Sequence, residues 1–151
     1  MTSDDPQKIA DGKLSERLRE ALAQVPVQGI VSAYLFGSHA AGRSHRESDI
    51  DVAVLLDWQR HPTRQERFAA RLRLIGELAH ALRTREDRLD IVILNDLPPL
   101  FGRSIVWDGV RFFCADPEAD RAHTVQVQLR AADLAPWLER MRKLKLEALA
   151  R

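Results

Sequence analysis

The sequence predicts a mixed α/β (α+β) fold, in which about four strands form a small sheet with helices packed on one side and a long helical region follows at the C-terminus. Short runs rich in β-branched and aromatic residues alternate with segments whose apolar residues recur at helical spacing. Only a short helical turn and a loop separate the first two strands. The 151 residues, 45% hydrophobic and 30% charged, are typical of one globular domain, which we expect to cover residues 12–151.

The first half of the chain is predicted to contain a helix, a strand, a short helix and a second strand. Residues 1–11 are expected to be disordered or frayed. Gly37 ends the first strand, and Ser38 is expected to cap the short helix. In order, the predicted elements are a helix over 12–25, a strand over 29–36, the short helix over 38–43 and a strand over 49–56.

The second half alternates between helices and strands in the same way. Pro136 is expected to kink or interrupt the last helix, with Asp133 as a possible new cap. Gly109 is predicted to end the short helix before the fourth strand. In order, the predicted elements are a helix over 63–82, a strand over 88–94, a short helix over 99–109, a strand over 110–115 and a helix from 116 to the end.

Composition and charge restrict the possible partners. The net charge of +1 indicates no direct nucleic-acid partner, and no apolar run is long enough for a membrane span. The single cysteine and the absence of a signal-peptide pattern predict a cytoplasmic protein. The mildly basic segment 130–151 is interpreted as a solvated helix face, with a docking surface for an acidic partner as the alternative.

Three aspartates stand where apolar strand residues are expected. Asp49 and Asp51 are two residues apart, so on a strand they point to the same face. Their mutual repulsion is relieved by a divalent cation, and Mg²⁺ prefers carboxylate ligands and is often shared with substrate phosphates. Asp90 enters the third strand and would reach the same place if the second and third strands are neighbours. The pattern predicts a metal site on these three residues.

Gly37 and Ser38 are predicted to bind an anion. A strand that ends in glycine before a helix start leaves backbone N–H groups available to a phosphate, and glycine permits its close approach. Phosphate and metal sites together are the equipment for phosphoryl or nucleotidyl transfer. The alternative interpretation is that Asp49 ends a loop and Asp51 is a partly exposed strand residue.

The segment GSHAAGRSHRESDID, residues 37–51, resembles the signature of the nucleotidyltransferase superfamily related to DNA polymerase beta, in its minimal form. RLDIVILNDLPPLFGRSIVWDGVRFFCAD, residues 88–116, is similar to a segment of MntA-like antitoxins. The likeness extends over roughly residues 15–150. The family often has Ala-Arg-Gly after Gly-Ser-x, whereas this chain has Ala40-Ala41-Gly42 with Arg43 and Arg46 downstream, and Arg43 is the candidate to replace the lost contact.

This resemblance implies an enzyme that uses ATP and Mg²⁺ to place AMP on a tyrosine of a HEPN-domain ribonuclease toxin, which silences the toxin. It implies a hetero-oligomer with that toxin. Gly37, Ser38 and Arg43 would hold the nucleotide. Asp49 and Asp51 would bind two Mg²⁺ ions, and Asp90 would complete the site and position or deprotonate the attacking hydroxyl.

Two other functions remain open. The chain could transfer a nucleotide to a small molecule such as an aminoglycoside, or it could be a binding module that masks a toxin by contact alone. We expect His39 and His45 to be loop residues in solvent. Tyr34 is expected to be a core residue rather than a site of self-modification. The three tryptophans are expected to be core or interface residues, with Trp137 as the candidate anchor for a partner; they are Trp58, Trp107 and Trp137.

Overall fold

The computed structural model describes residues 6–40 and 49–150. Its helices and strands, in chain order, are α1 (Pro6–Gln24), β1 (Ile30–Phe36), β2 (Ile50–Leu56), α2 (Arg64–Leu82), β3 (Leu89–Ile93), α3 (Pro99–Asp108), β4 (Val110–Cys114) and α4 (Pro117–Leu149). The predicted α/β class, with a mixed four-stranded sheet and a long C-terminal helix, is confirmed.

Three local predictions differ from the structure. The first helix begins at Pro6, so residues 6–11 of the segment expected to fray are helical, and residues 1–5 lie outside the described residues. Residues 37–40 form a turn, and the rest of the short helix predicted over 38–43 lies outside the described residues. The predicted interruption at Pro136 is wrong, because α4 continues through it and Asp133 is not a cap.

The sheet has the strand order β3-β2-β1-β4. Strand β1 runs antiparallel to β2 and β4, whereas β2 and β3 are parallel. The assumed adjacency of the second and third strands is therefore confirmed. Because β1 is antiparallel to β2, and β3 is parallel to β2, the end of β1 lies at the same end of the sheet as the beginnings of β2 and β3.

Both faces of the sheet are covered by helices. One apolar cluster joins the sheet to α1 and α2, and a second joins the opposite face to α3 and the start of α4. The prediction of helices on one side only is wrong. The unbroken buried run from Val52 to Leu56 gives the physical reason, because a strand covered on both faces is apolar at consecutive positions. No described helix has the length and apolar character that a membrane span requires.

Candidate active site

Gly37 lies directly against Asp51 at the end of β1. Its neighbour Phe36 pairs with Asp51 across the antiparallel ladder. Gly37 has φ +73°, in the left-handed region, and a Cβ built there would overlap the Oδ2 atom of Asp51. The backbone therefore favours glycine at this position, and a larger residue would displace the Asp51 carboxylate. The predicted anion-binding turn and the predicted metal-binding acid are in contact.

Asp49, Asp51 and Asp90 lie on one side of the sheet at this end. Asp51 and Asp90 are direct partners in the parallel β2–β3 pairing, so their side chains share a face. Ile50 and Val52 point to the other face, into the cluster under α1 and α2. Asp49 and Asp90 are exposed, and Asp51 is partly buried. The acids thus lie on the face that carries α3 and α4.

The electrostatics of Asp51 show that these acids act on one another. Burial raises the pKa of the Asp51 carboxyl above its usual value, and the charges of Asp90 and Asp49 raise it further. The charge of His39 lowers this pKa. A site with mutually repelling carboxylates is one in which a bound cation would favour the ionised form.

The carboxylates are the ligand type that a magnesium ion prefers, but their positions alone do not form a complete set of ligands. Among residues 6–40 and 49–150, no three His, Cys, Asp or Glu side chains are gathered closely enough to hold a metal ion by themselves. Magnesium in nucleotide-using enzymes is commonly held by one or two carboxylates together with substrate phosphates. The Gly37 turn next to Asp51 is where such phosphates would complete the ligand set.

Two cavities flank the acids. One, of about 490 Å³, lies beside Gly37 and is lined in part by Phe36, Phe101, Ser104 and Asp108. The rings of Phe36 and Phe101 meet edge to face at 6.0 Å between centroids. This cavity offers an apolar wall and two polar side chains next to the predicted phosphate turn.

The other cavity, of about 600 Å³, adjoins Asp49 and is lined by Arg83, Arg85 and Arg88. Arg85 is held by Asp87 at 2.8 Å. The sequence interpretation missed this group of three arginines, which shares the cavity lining with Asp49 and Asp87. The run RTREDR at 83–88 could have indicated it, because the run leads directly into the strand that begins one residue before Asp90.

Two other predictions at this end have different outcomes. Arg43, the candidate substitute for the lost arginine contact, lies outside the described residues, as do His45 and Arg46. The solvated loop position predicted for His39 is wrong: the residue is partly buried, and its charge acts on Asp51. Ser38 is partly buried in the turn after Gly37.

A second carboxylate, Asp120, lies on the same face of the sheet but is fully satisfied. Its Oδ1 accepts hydrogen bonds from Ser32 Oγ at 2.6 Å and Tyr34 OH at 2.9 Å, and its Oδ2 accepts one from Arg111 at 2.8 Å. Burial and then Asp120 raise the pKa of Tyr34 to about 12. This network fixes the first turns of α4 on β1, and it confirms Tyr34 as a core residue.

The Asn-Asp-x-Pro-Pro segment at 95–99 holds the far end of the sheet together. The side chain of Asn95 accepts a hydrogen bond from the Leu56 N–H at 2.9 Å and donates one to its carbonyl at 2.8 Å. Asp96 forms an ion pair with the buried Arg67 at 2.8 Å. These contacts continue the β2–β3 pairing and therefore support the register that sets Asp90 beside Asp51.

The three tryptophans are not core residues. Trp58, Trp107 and Trp137 expose 47%, 61% and 50% of their surface. Arg67 lies over the ring of Trp58 at 4.8 Å, and Arg103 over that of Trp107 at 4.9 Å, so cation–π contacts hold these two at the surface. Trp137 lies on the exposed second half of α4.

Comparison with known proteins agrees with this architecture. The family model described as "Polymerase beta, Nucleotidyltransferase" matches residues 16–118. The protein adenylyltransferase MntA of Shewanella oneidensis is 31% identical over 107 residues, which are 68% of this chain. The chain spans 64% of the length of that curated relative.

Solved structures show the same fold. A toxin–antitoxin structure with AMP-PNP has a TM-score of 0.63 at 24% identity, over 91% of this chain and 98% of that chain. The complex of tri-AMPylated Shewanella oneidensis HEPN toxin with its MNT antitoxin has a TM-score of 0.53 at 21% identity, over 96% and 99% of the two chains. Fold, motif and family model agree, and the chain belongs to the polymerase beta nucleotidyltransferase family.

Proposed function

We propose that this chain is an antitoxin-type protein adenylyltransferase, which transfers AMP from ATP to a tyrosine hydroxyl of a HEPN-domain ribonuclease toxin and so neutralises it. The name of the curated relative and the toxin complexes among the similar structures support this proposal. The observation that carries it is the contact of Gly37 with Asp51, on the face shared by Asp49 and Asp90. The proposal includes one nucleotidyltransferase domain over residues 12–151, acting in the cytoplasm.

The nucleotide would bind across the end of the sheet. The backbone at Gly37 and Ser38 would hold the triphosphate, and Arg43 would add a positive charge. Arg83, in the cavity beside Asp49, would add positive charge for an anionic substrate, whereas Arg85 is paired with Asp87. Asp49, Asp51 and Asp90 would hold two Mg²⁺ ions, which would neutralise charge on the phosphates and so favour attack at the α-phosphorus.

The transfer itself needs an acceptor hydroxyl near Asp90. The hydroxyl oxygen forms a bond to the α-phosphorus, the bond from that phosphorus to the bridging oxygen breaks, and pyrophosphate leaves with the bonding electron pair. Asp90 would orient the hydroxyl and accept its proton. Asp90 is exposed and is the second residue of the edge strand β3, so an acceptor carried by another protein can approach it.

A masking module without catalysis would have no use for this arrangement. Three acids on one face, with burial and like charges raising the pKa of Asp51, are unfavourable unless a ligand compensates them. The direct test is incubation of the chain with ATP, Mg²⁺ and a HEPN-domain toxin, read by intact mass. We expect the acceptor to gain the mass of AMP, and no gain in the presence of a metal chelator. Complete neutralisation of the toxin without any AMP adduct would overturn the proposal.

A further inference from the structure

The second half of α4, residues 132–149, which we call the α4 arm, has an apolar side that none of the described residues buries. Every residue of the arm is exposed, whereas the first half of α4 is docked through Asp120, His123, Val127 and Ala131. The spacing of these buried residues continues into the arm as an exposed apolar stripe. Its members are Leu134, Trp137, Leu138, Met141 and Leu144, with exposed fractions of 37% to 58%.

A helix is an unfavourable conformation for the arm if its apolar side stays in water. Pro136 lies inside it and provides no backbone N–H for the helix, so one intrahelical hydrogen bond is lost. Most of the stability of a helix in a protein comes from packing of its amphipathic face, and the exposed arm lacks that packing. A contiguous apolar stripe that includes an exposed tryptophan is typical of a binding surface rather than of a solvated helix face.

The charges beside the stripe argue against a second copy of this chain. Asp133, Arg140 and Glu147 follow one edge of the stripe at intervals of seven residues, and Lys145 lies on the other edge. In a parallel pair of arms Arg140 would face Lys145 of the other copy. In an antiparallel pair centred on Arg140 the same edge would face itself, which sets Asp133 against Glu147 and Arg140 against Arg140. Both pairings bring like charges together.

The charges also argue against a membrane surface. The arm carries four basic residues and three acidic ones, and the edge along Asp133, Arg140 and Glu147 alternates in sign. Helices that lie on anionic membranes have a polar face rich in Lys and Arg. The alternating edge is instead typical of specific pairing with another helix, in which edge charges select the partner.

We propose that the α4 arm docks a different protein, which presents an amphipathic helix with an acidic group opposite Arg140, another opposite Lys145, and basic groups opposite Asp133 and Glu147. This inference rests on the proposed function in one respect: the docked protein is the acceptor of AMP. Trp137 and Met141 are the apolar centre of the surface, and the charged edge sets the register. Docking through the arm would raise the local concentration of the acceptor at Asp90.

The test compares matched variants of the full chain by calorimetry, in binding to the same HEPN-domain toxin that serves as the acceptor of AMP. We expect Met141→Asp to weaken binding at least about thirtyfold, because a carboxylate would enter the apolar centre. Leu146→Asp is its control, since Leu146 is equally an exposed apolar residue of the arm but lies off the stripe. Lys145→Glu should weaken binding about tenfold, and Lys143→Glu, on the opposite face, should change it less than about twofold.

Several outcomes would overturn this inference. The first is that Met141→Asp and Leu146→Asp bind the acceptor equally well. The second is that the wild type sediments as a dimer and Met141→Asp as a monomer. The third is that the chain binds phosphatidylserine vesicles and loses this binding in Met141→Asp. The proposed function fails separately. If the acceptor binds through the arm but gains no AMP, docking stands and the transferase is wrong. If Met141→Asp modifies the acceptor with an unchanged KM, the transferase stands and docking is wrong.

Discussion

Two aspartates on the same face of the sheet, Asp51 and Asp120, have opposite surroundings. Asp120 is buried among donors, with Ser32, Tyr34 and Arg111 all directed at its oxygens. At Asp51, burial raises the pKa of the carboxyl, and the charges of Asp90 and Asp49 raise it further, with His39 opposing them. A carboxylate with its partners in place stabilises the fold. A carboxylate surrounded by other carboxylates is suited to a cation and a substrate, which only function supplies.

The largest effect is expected from Asp51→Asn. The amide keeps the shape but removes the charge, so transfer of AMP to the acceptor should fall by at least about a thousandfold. Removal of a carboxylate that repels its neighbours should leave the unfolding midpoint equal to that of the wild type or higher. Single-turnover kinetics and thermal unfolding measure the two parts. If Asp51→Asn is inactive and also strongly destabilised, the role of Asp51 is structural, like that of Asp120.

The opposite pattern is expected from Asp120→Ala. Buried Ser32 and Tyr34 would lose their acceptor, which should lower the free energy of unfolding by about 3 kcal/mol. Transfer per folded molecule should persist at low temperature. Urea unfolding gives the stability, with Asp133→Ala as the control on an exposed turn of the same helix. A loss of less than about 0.5 kcal/mol would contradict the structural role of this network.

A smaller effect is expected where Gly37 touches Asp51, and the chain offers a matched control. Gly29 also has a positive φ, of +76°, but there an added Cβ would meet side-chain atoms of Arg60 and Asp57, which are not part of the candidate site. Alanine at either position should cost about 1–2 kcal/mol of stability from backbone strain. Only Gly37→Ala should also impair transfer, by about tenfold or more, because it displaces Asp51. Equal rates of AMP transfer in Gly29→Ala and Gly37→Ala would show that Gly37 has no role in the candidate active site.

The smallest expected effect concerns His123, which is buried beside Asp120. Neither ring nitrogen has a hydrogen-bond partner among the described residues, and burial lowers the pKa of this histidine despite the opposing charge of Asp120. The unfolded chain therefore takes up the proton more readily. Stability should be full above pH 6.5 and should fall as the pH decreases from 6.5 to the lowered pKa. Urea unfolding from pH 7.5 to 5 measures this slope, which should vanish in His123→Leu but not in His80→Leu. A slope unchanged in His123→Leu would be the contrary result.

The sequence predicted the candidate site around Asp51 better than the structural network around Asp120. Asp49, Asp51 and Asp90 break the apolar pattern of their strands, so a local rule reveals them and strand periodicity gives their common face. Their contact with Gly37 depends on the antiparallel pairing of β1 with β2, which the short connection between them indicates. The adjacency of β3 had to be assumed, because sequence alone does not fix the order of strands.

The structural acid escaped prediction for a physical reason. Asp120 stands in the first turn of a helix, where acidic residues are ordinary, and its partners are 86 and 88 residues away in the chain. Ser32 and Tyr34, two residues apart on one strand, were the available signal for a buried acceptor. Packing of helices on both faces was also missed, although the unbroken apolar run in β2 indicates it.

The central claim is that Asp51 and its neighbours bind ATP through a shared divalent cation. The most direct measurement is calorimetric titration of ATP into the wild-type chain and into Asp51→Asn, each with Mg²⁺ and with a chelator. We expect Mg²⁺ to strengthen ATP binding by the wild type at least about tenfold and to leave binding by Asp51→Asn nearly unchanged. Equal strengthening in both proteins would contradict the claim.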